Sequence, residues 1–256
     1  MRQNPNPTPF DPLAPGATRM ELPQPSERPP VTTRIFPAAW HPPALSLASR
    51  DPHPESKGRF DVTLVDPLTN RIVLCESMLE GRLWYMLRID PQVAWIWDQP
   101  RSVFYFGENG EIRRHTFDFL VVLHNGRRIA IAVKPQAHVV SSGIEDTLER
   151  IRTQSGTLFA DTFLLRTEAH ITTVRATNAR LIFEAFCQRD TEHVEAVHAF
   201  VRTLAGAVPI RDLARASGLG PEAFNAIVCL IGDGVLKLHA PVCISPDAFV
   251  TPATAH

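Results

Sequence analysis

Three polar side chains stand where an apolar core would be expected, and together they have the chemistry of a phosphodiester-cleaving site. Glu80 lies beside the apolar stripe Leu79, Leu83, Met86 and Leu87; Asp118 opens the run Phe119-Leu120-Val121-Val122; Lys134 closes the run Ile129-Ala130-Ile131-Ala132-Val133. Two carboxylates offer hard oxygen ligands to Mg²⁺ or Mn²⁺, which would activate water and neutralise developing charge. A neighbouring ammonium would orient the nucleophile or stabilise a pentavalent phosphate.

The elements that must position these groups follow from pattern. Alternation at Phe60, Val62 and Leu64, then Arg71 to Leu74, predicts a strand pair. The helical spacing of Leu79, Leu83, Met86 and Leu87 predicts a helix from near Ser77, stopped at Asp90-Pro91 because a residue before proline avoids helical geometry. Strands are expected at Val93–Trp97, Ser102–Phe106, Ile112–Thr116, Asp118–Leu123 and Arg128–Lys134, then a helix over 144–153, a strand at 163–165 and a helix over 178–187. This is an α/β domain over 56–188.

Each candidate also has a structural reading. Ser77 followed by Glu80 fits a capping box. Asp118 fits a strand terminus and Lys134 an ordinary edge residue before Pro135. The turn at Asn125-Gly126 separates the possibilities. A plain two-residue turn would pair Asp118 with Val133, facing away from Lys134. A three-residue loop with a left-handed Gly126 would set Asp118 opposite Ala132 or Lys134, and this is the expected geometry.

Composition limits the class. The 256 residues, 44% hydrophobic and 21% charged, suffice for two modest cores. Without a long apolar run or an apolar start, the expectation is a soluble, cytoplasmic protein with no membrane partner. Cys75, Cys187, Cys229 and Cys243 lack metal-binding spacing and are expected to be small core hydrophobes. Fourteen of 23 prolines fall in the first 54 residues, so 1–55 is expected to be a largely disordered or extended arm, with an apolar island at Arg34–Trp40. The net charge of −1 does not announce nucleic acid, so DNA contacts must come from local groups: Arg113, Arg114 and His115 beside Asp118, Arg127 and Arg128 after the turn, and Arg150 and Arg152 beyond.

The runs R-I-V-L-C-E-S-M-L-E, D-P-Q-V-A-W-I-W-D-Q-P, R-R-H-T-F-D-F-L-V-V-L-H-N-G-R and I-A-V-K-P, with Thr167-Glu168 and Asn178-Ala179 further on, resemble the amino-terminal domain of TnsA-type transposon endonucleases of the PD-(D/E)xK superfamily. The resemblance spans about residues 60–186. It implies a restriction-endonuclease-like mixed sheet flanked by helices, with Glu80 and Asp118 as ligands of Mg²⁺ or Mn²⁺, the Val133 carbonyl as a further ligand, and Lys134 as the catalytic lysine. It also implies DNA cleavage at transposon ends beside a DDE transposase and an AAA+ ATPase. Two positions depart from the family: Ala132 stands where Glu or Gln is expected, and Phe117 where proline is usual. The alanine removes an oxygen that near-octahedral Mg²⁺ would use; Gln99, Glu76 and Gln136 are candidate substitutes. A catalytically degenerate DNA-binding or scaffold protein on the same fold, or a stand-alone phage or defence nuclease, are the alternatives.

Helices expected at about 192–205, 209–216 and 221–232, then strands at 235–238 and 242–244, follow the order of a small winged-helix domain over 189–250, with 251–256 as a tail. Its would-be recognition helix, Pro221 to Ile231, carries no Lys or Arg and only Asn225 as a base-reading residue, which points to protein docking rather than base reading.

Overall fold

The structure, a computed structural model, describes residues 9–22, 41–49 and 62–253. The Arg34–Trp40 island and Phe60 lie outside them. The chain divides into two compact units, with the boundary in the carboxy-terminal half at Ile171/Thr172.

The first unit begins with an antiparallel pair, β1 (Val62–Asp66) and β2 (Arg71–Cys75). Helix α1 (Met78–Arg88) starts where Ser77 accepts the Glu80 N–H, and Arg88 in its last turn pairs with Asp66 at 3.1 Å. Strands β3 (Val93–Asp98), β4 (Val103–Phe106), β5 (Ile112–His115), β6 (Phe119–Leu123) and β7 (Arg128–Val133) follow. Beyond a short 3₁₀ turn and α2 (Val139–Ser142), helix α3 (Ile144–Ser155) leads to β8 (Thr162–Arg166). The central sheet has the order β3-β6-β7-β8: the first three strands are antiparallel and β8 runs parallel to β7. A parallel pair needs a crossover, and α2 and α3 supply it. Strands β4 and β5 form a separate two-stranded ribbon.

Along α3, Ile144, Leu148 and Ile151 recur at helical spacing and pack in one core with Leu120, Ala130 and Ala132 of the sheet. Phe117 and Phe159 are wholly buried and stack with ring centroids 5.4 Å apart. Burying each such side chain contributes about 1.5–3 kcal/mol.

The arm departs from expectation. Residues 9–22 and 42–49 are anchored rather than loose. Phe10 bridges to Val103, and the Met20 N–H donates to the Leu158 carbonyl at 2.9 Å. Ala44 bridges to Arg71, and the Trp97 Nε1–H donates to the Leu47 carbonyl at 3.1 Å. Single apolar anchors and edge hydrogen bonds hold these extended pieces, so no periodic run is needed.

The second unit contains α4 (Thr173–Cys187), α5 (Thr191–Val201), β9 (Val208–Pro209), α6 (Ile210–Ser217), α7 (Glu222–Gly232), β10 (Leu236–Leu238) and β11 (Phe249–Pro252). The expected boundary at 188/189 therefore falls inside it. Its antiparallel sheet has the order β10-β11-β9. The strand expected at Val242–Ile244 is absent, and β11 takes its place. The Asn178 amide explains this, donating to the Val242 carbonyl at 2.9 Å and accepting the Ile244 N–H at 2.8 Å, which satisfies that backbone without a ladder. Five consecutive residues of α7, Ala226 to Leu230, are buried, so this helix is the centre of its unit. Among the described residues, no helix is long and apolar enough to cross a membrane. Among the described residues no disulfide forms; Cys243 is exposed, contrary to the expected core position.

Candidate active site

The geometry of the β6–β7 hairpin decides where Asp118 points. Phe119 pairs with Ile131 and Leu120 with Ala130, and at the end of this ladder the Asp118 N–H donates to the Ile131 carbonyl at 3.0 Å. The loop has three residues, His124 to Gly126: the Leu123 N–H donates to the Arg127 carbonyl and the Gly126 N–H to the Leu123 carbonyl, both at 2.9 Å. Gly126 has φ +80°, a conformation that favours glycine. The expected bulged loop is thus the one formed. Asp118 just before β6 and Ala132 and Lys134 at the end of β7 therefore lie at the same end of the hairpin.

The Asp118 Oδ2 accepts the Val133 N–H at 2.6 Å, which fixes the carboxylate across β7. Val133 therefore meets Asp118 through its N–H. Lys134 is half-buried, and its N–H donates to the Arg166 carbonyl at 3.0 Å. Among the described residues, no ion pair involves its ammonium.

Glu80 is buried and forms the cap that its spacing allows. Its Oε1 accepts the Ser77 hydroxyl at 2.8 Å, and its Oε2 accepts the Glu76 N–H at 2.7 Å. A carboxylate oxygen can accept more than one hydrogen bond, so capping does not by itself exclude ligation. The pKa of the buried Cys75 thiol is pushed far up, first by burial and then by the charges of Glu80, Asp98 and Asp118.

Asp98 is the acid that sequence reasoning passed over. It closes an apolar strand just as Asp118 opens one, and that signal was available in W-I-W-D-Q-P. It is buried, and its Oδ2 accepts the Ser46 hydroxyl at 2.6 Å and the Leu74 N–H at 2.8 Å. Burial raises its pKa against these bonds and the charge of Arg71. Gln99 beside it is also buried, with φ +40°, a strained conformation for a residue other than glycine. Its N–H donates to the Asp118 carbonyl at 2.9 Å and its carbonyl accepts the Ser49 N–H at 2.8 Å. The anchored segment 42–49 therefore holds both residues next to Asp118.

The other candidates divide. Gln136 is exposed, and its N–H donates to Glu168 at 2.8 Å, the first cause of that carboxyl's lowered pKa. Arg127 and Arg128 stand at the opposite end of the hairpin, about 19–24 Å along β7 from Lys134. Arg128 is committed to the fold, donating to the Met20 carbonyl at 2.6 Å. Arg113 pairs with Glu111, and His115 packs edge-on against Phe117 at 4.7 Å. Arg114 remains exposed near the site. Asn225, in the second unit, donates to the Ala185 and Gln188 carbonyls at the end of α4.

Among the described residues, no group of three or more His, Cys, Asp or Glu side chains is placed to hold a metal ion. Asp118, Glu80 and the Val133 carbonyl are donors of the hard-oxygen type, and a divalent cation on them would rely on water for the rest of its shell. Compared with known proteins, the chain matches no family model and no curated protein, so its function is argued from these residues and their geometry.

Proposed function

We propose that the chain is a TnsA-like DNA endonuclease subunit that hydrolyses phosphodiester bonds at transposon ends. The observation that supports this reading is the β6–β7 pairing, which brings Asp118 and Lys134 to one end of a hairpin, with the Asp118 carboxylate bonded to the Val133 N–H. That hairpin continues through a helical crossover into a parallel strand, an arrangement consistent with the restriction-endonuclease-like fold. Bound to Asp118, Glu80 and the Val133 carbonyl, Mg²⁺ or Mn²⁺ would supply an activated water and charge neutralisation. Asp118 is held in place by the Val133 N–H, and Lys134 brings a cation to the phosphate where negative charge builds up. The strained Gln99 offers an amide near the same end of the sheet.

The second unit, read as a winged helix, serves in this proposal as a docking module for a DDE transposase and an AAA+ ATPase in the cytoplasm. Its buried α7, free of Lys and Arg, supports docking over base reading.

One observation favours a second reading, a DNA-binding scaffold that does not cut: Ala132 leaves two side-chain ligands where three are usual. The test is nicking of supercoiled plasmid by the purified chain, alone and with its partner proteins, in Mg²⁺ or Mn²⁺. Metal-dependent nicking abolished by Asp118→Asn supports the endonuclease. Intact plasmid under every condition, with DNA binding retained, supports the scaffold.

A further inference from the structure

The β4–β5 ribbon carries apolar side chains on both of its faces. Val103 and Tyr105 of β4 face inward and are buried. The alternate positions face out, and an outward face is ordinarily polar. Here Phe106 is 42% exposed and Ile112 68% exposed, and the two are cross-strand partners. The neighbouring pair joins the half-buried Phe104 to the exposed Arg114. Of the basic run Arg113-Arg114-His115, only Arg114 belongs to this face, since residues two apart share a side. None of the four outward residues is acidic, and among the described residues no ion pair involves Arg114. The backbone beneath is held firmly. Gln154 donates to the Phe106 carbonyl at 3.0 Å and accepts its N–H at 2.7 Å, and the Phe10 N–H donates to the Ser102 carbonyl at 2.7 Å.

We infer that this face is a stacking platform for the unpaired bases of a DNA strand, with Arg114 on its phosphate. Aromatic rings beside a cation are the chemistry that holds single strands without reading sequence. Phe104 and Phe106 sit about 7 Å apart along the strand, enough for one base on each ring. Arg114 lies four residues before Asp118, within about 14 Å even for fully extended chain. A strand on the platform would therefore lead toward Asp118. The inference builds on the proposed DNA-cleaving role but concerns binding alone.

The test is fluorescence anisotropy of the full-length chain with a labelled oligothymidylate, and with a blunt duplex of equal length, in EDTA. Wild type is expected to prefer the single strand. Phe106→Ala should weaken single-strand binding by about 5- to 100-fold, and Arg114→Gln should lower the salt slope by about 0.7. Phe106→Leu keeps apolar bulk without the ring, so it should fold as wild type and still bind weakly. Wild-type affinity in these variants, or no preference for the single strand, would overturn the platform. So would a Phe106 variant that only abolishes self-association in sedimentation. Metal is chelated throughout, so a chain that never nicks plasmid yet loses binding in these variants keeps the platform and loses the cleavage reading. A chain that nicks while its variants bind normally does the reverse.

Discussion

The Val133 N–H donates to the Asp118 carboxylate at 2.6 Å, tying the side chain at the start of β6 to the backbone between Ala132 and Lys134. This one bond gives Asp118 a structural role beside the proposed chemical one, and the two separate by substitution.

Asp118→Ala leaves a buried N–H unsatisfied and is expected to cost about 1–3 kcal/mol of stability. Asp118→Asn keeps an acceptor oxygen and should cost less, while removing the charge a metal needs. Urea unfolding and plasmid nicking, measured together, should find Asp118→Asn close to wild type in stability and inactive in cleavage. Retained nicking would remove Asp118 from the site.

Ala132→Gln restores the oxygen that the resemblance expects. Ala132 is 2% exposed, so enlarging it is expected to cost about 1–3 kcal/mol in stability. If the position completes a metal site, Mn²⁺ titration should show affinity tighter by about tenfold, or 1.4 kcal/mol, with faster nicking. Unchanged affinity in a folded variant would show that position 132 does not face the metal.

How far these positions were legible depends on whether the deciding interaction was local. Ser77 and Glu80 announce a helix start three residues apart, and Asn125-Gly126 fixes the register that brings Asp118 to the same end of the hairpin as Lys134. The segment 42–49 gave no such signal, because Ser46 and Ser49 act through single bonds to residues about fifty positions away and extended chain on an edge has no period. The same holds for β11: Val242–Ile244 looks as strand-like as Phe249–Pro252, and Asn178, remote in sequence, settles which of them pairs. Asp98 was legible in principle but looked like a strand end beside the more conspicuous Gln99-Pro100.

The cap and the proposed metal role of Glu80 can be told apart. Ser77→Ala removes the hydroxyl that bonds both the Glu80 N–H and its carboxylate, and should cost about 1 kcal/mol while leaving nicking intact. Glu80→Gln retains acceptor oxygens but loses the charge, so nicking should fall with little change in the thermal midpoint. Equal loss of stability and activity in both variants would leave Glu80 a helix cap only.

Thiol reactivity reports on the burial of Cys75 without reference to catalysis. Only the thiolate is alkylated readily, and burial with three nearby carboxylates pushes Cys75 far up, while burial holds Cys229 at about 11. Iodoacetamide at mildly alkaline pH should label exposed Cys243 in the native protein and reach Cys75 and Cys229 only after unfolding, as read by mass spectrometry. Labelling of Cys75 as fast as Cys243 would show that its thiol is accessible in the folded chain.

Asp98 should make stability fall as pH rises. Burial lifts its folded-state pKa above the ordinary aspartate value, so the folded chain holds a proton that the unfolded chain gives up sooner. Its contribution is fully present below the unfolded pKa and lost as pH climbs through the folded one. Asp161 works in the opposite sense: the Arg19 ion pair, at 2.6 Å, lowers its pKa, so its contribution is present at neutral pH and lost in acid. Asp98→Asn keeps an acceptor for the Ser46 hydroxyl and the Leu74 N–H and abolishes the titration. Urea unfolding should therefore find Asp98→Asn more stable than wild type at mildly alkaline pH, with the advantage shrinking toward acid. Arg19→Ala should instead be less stable at neutral pH, with that loss shrinking toward acid. A variant at position 98 whose stability tracks wild type across the range would mean that the Ser46, Leu74 and Arg71 contacts keep Asp98 at its ordinary value.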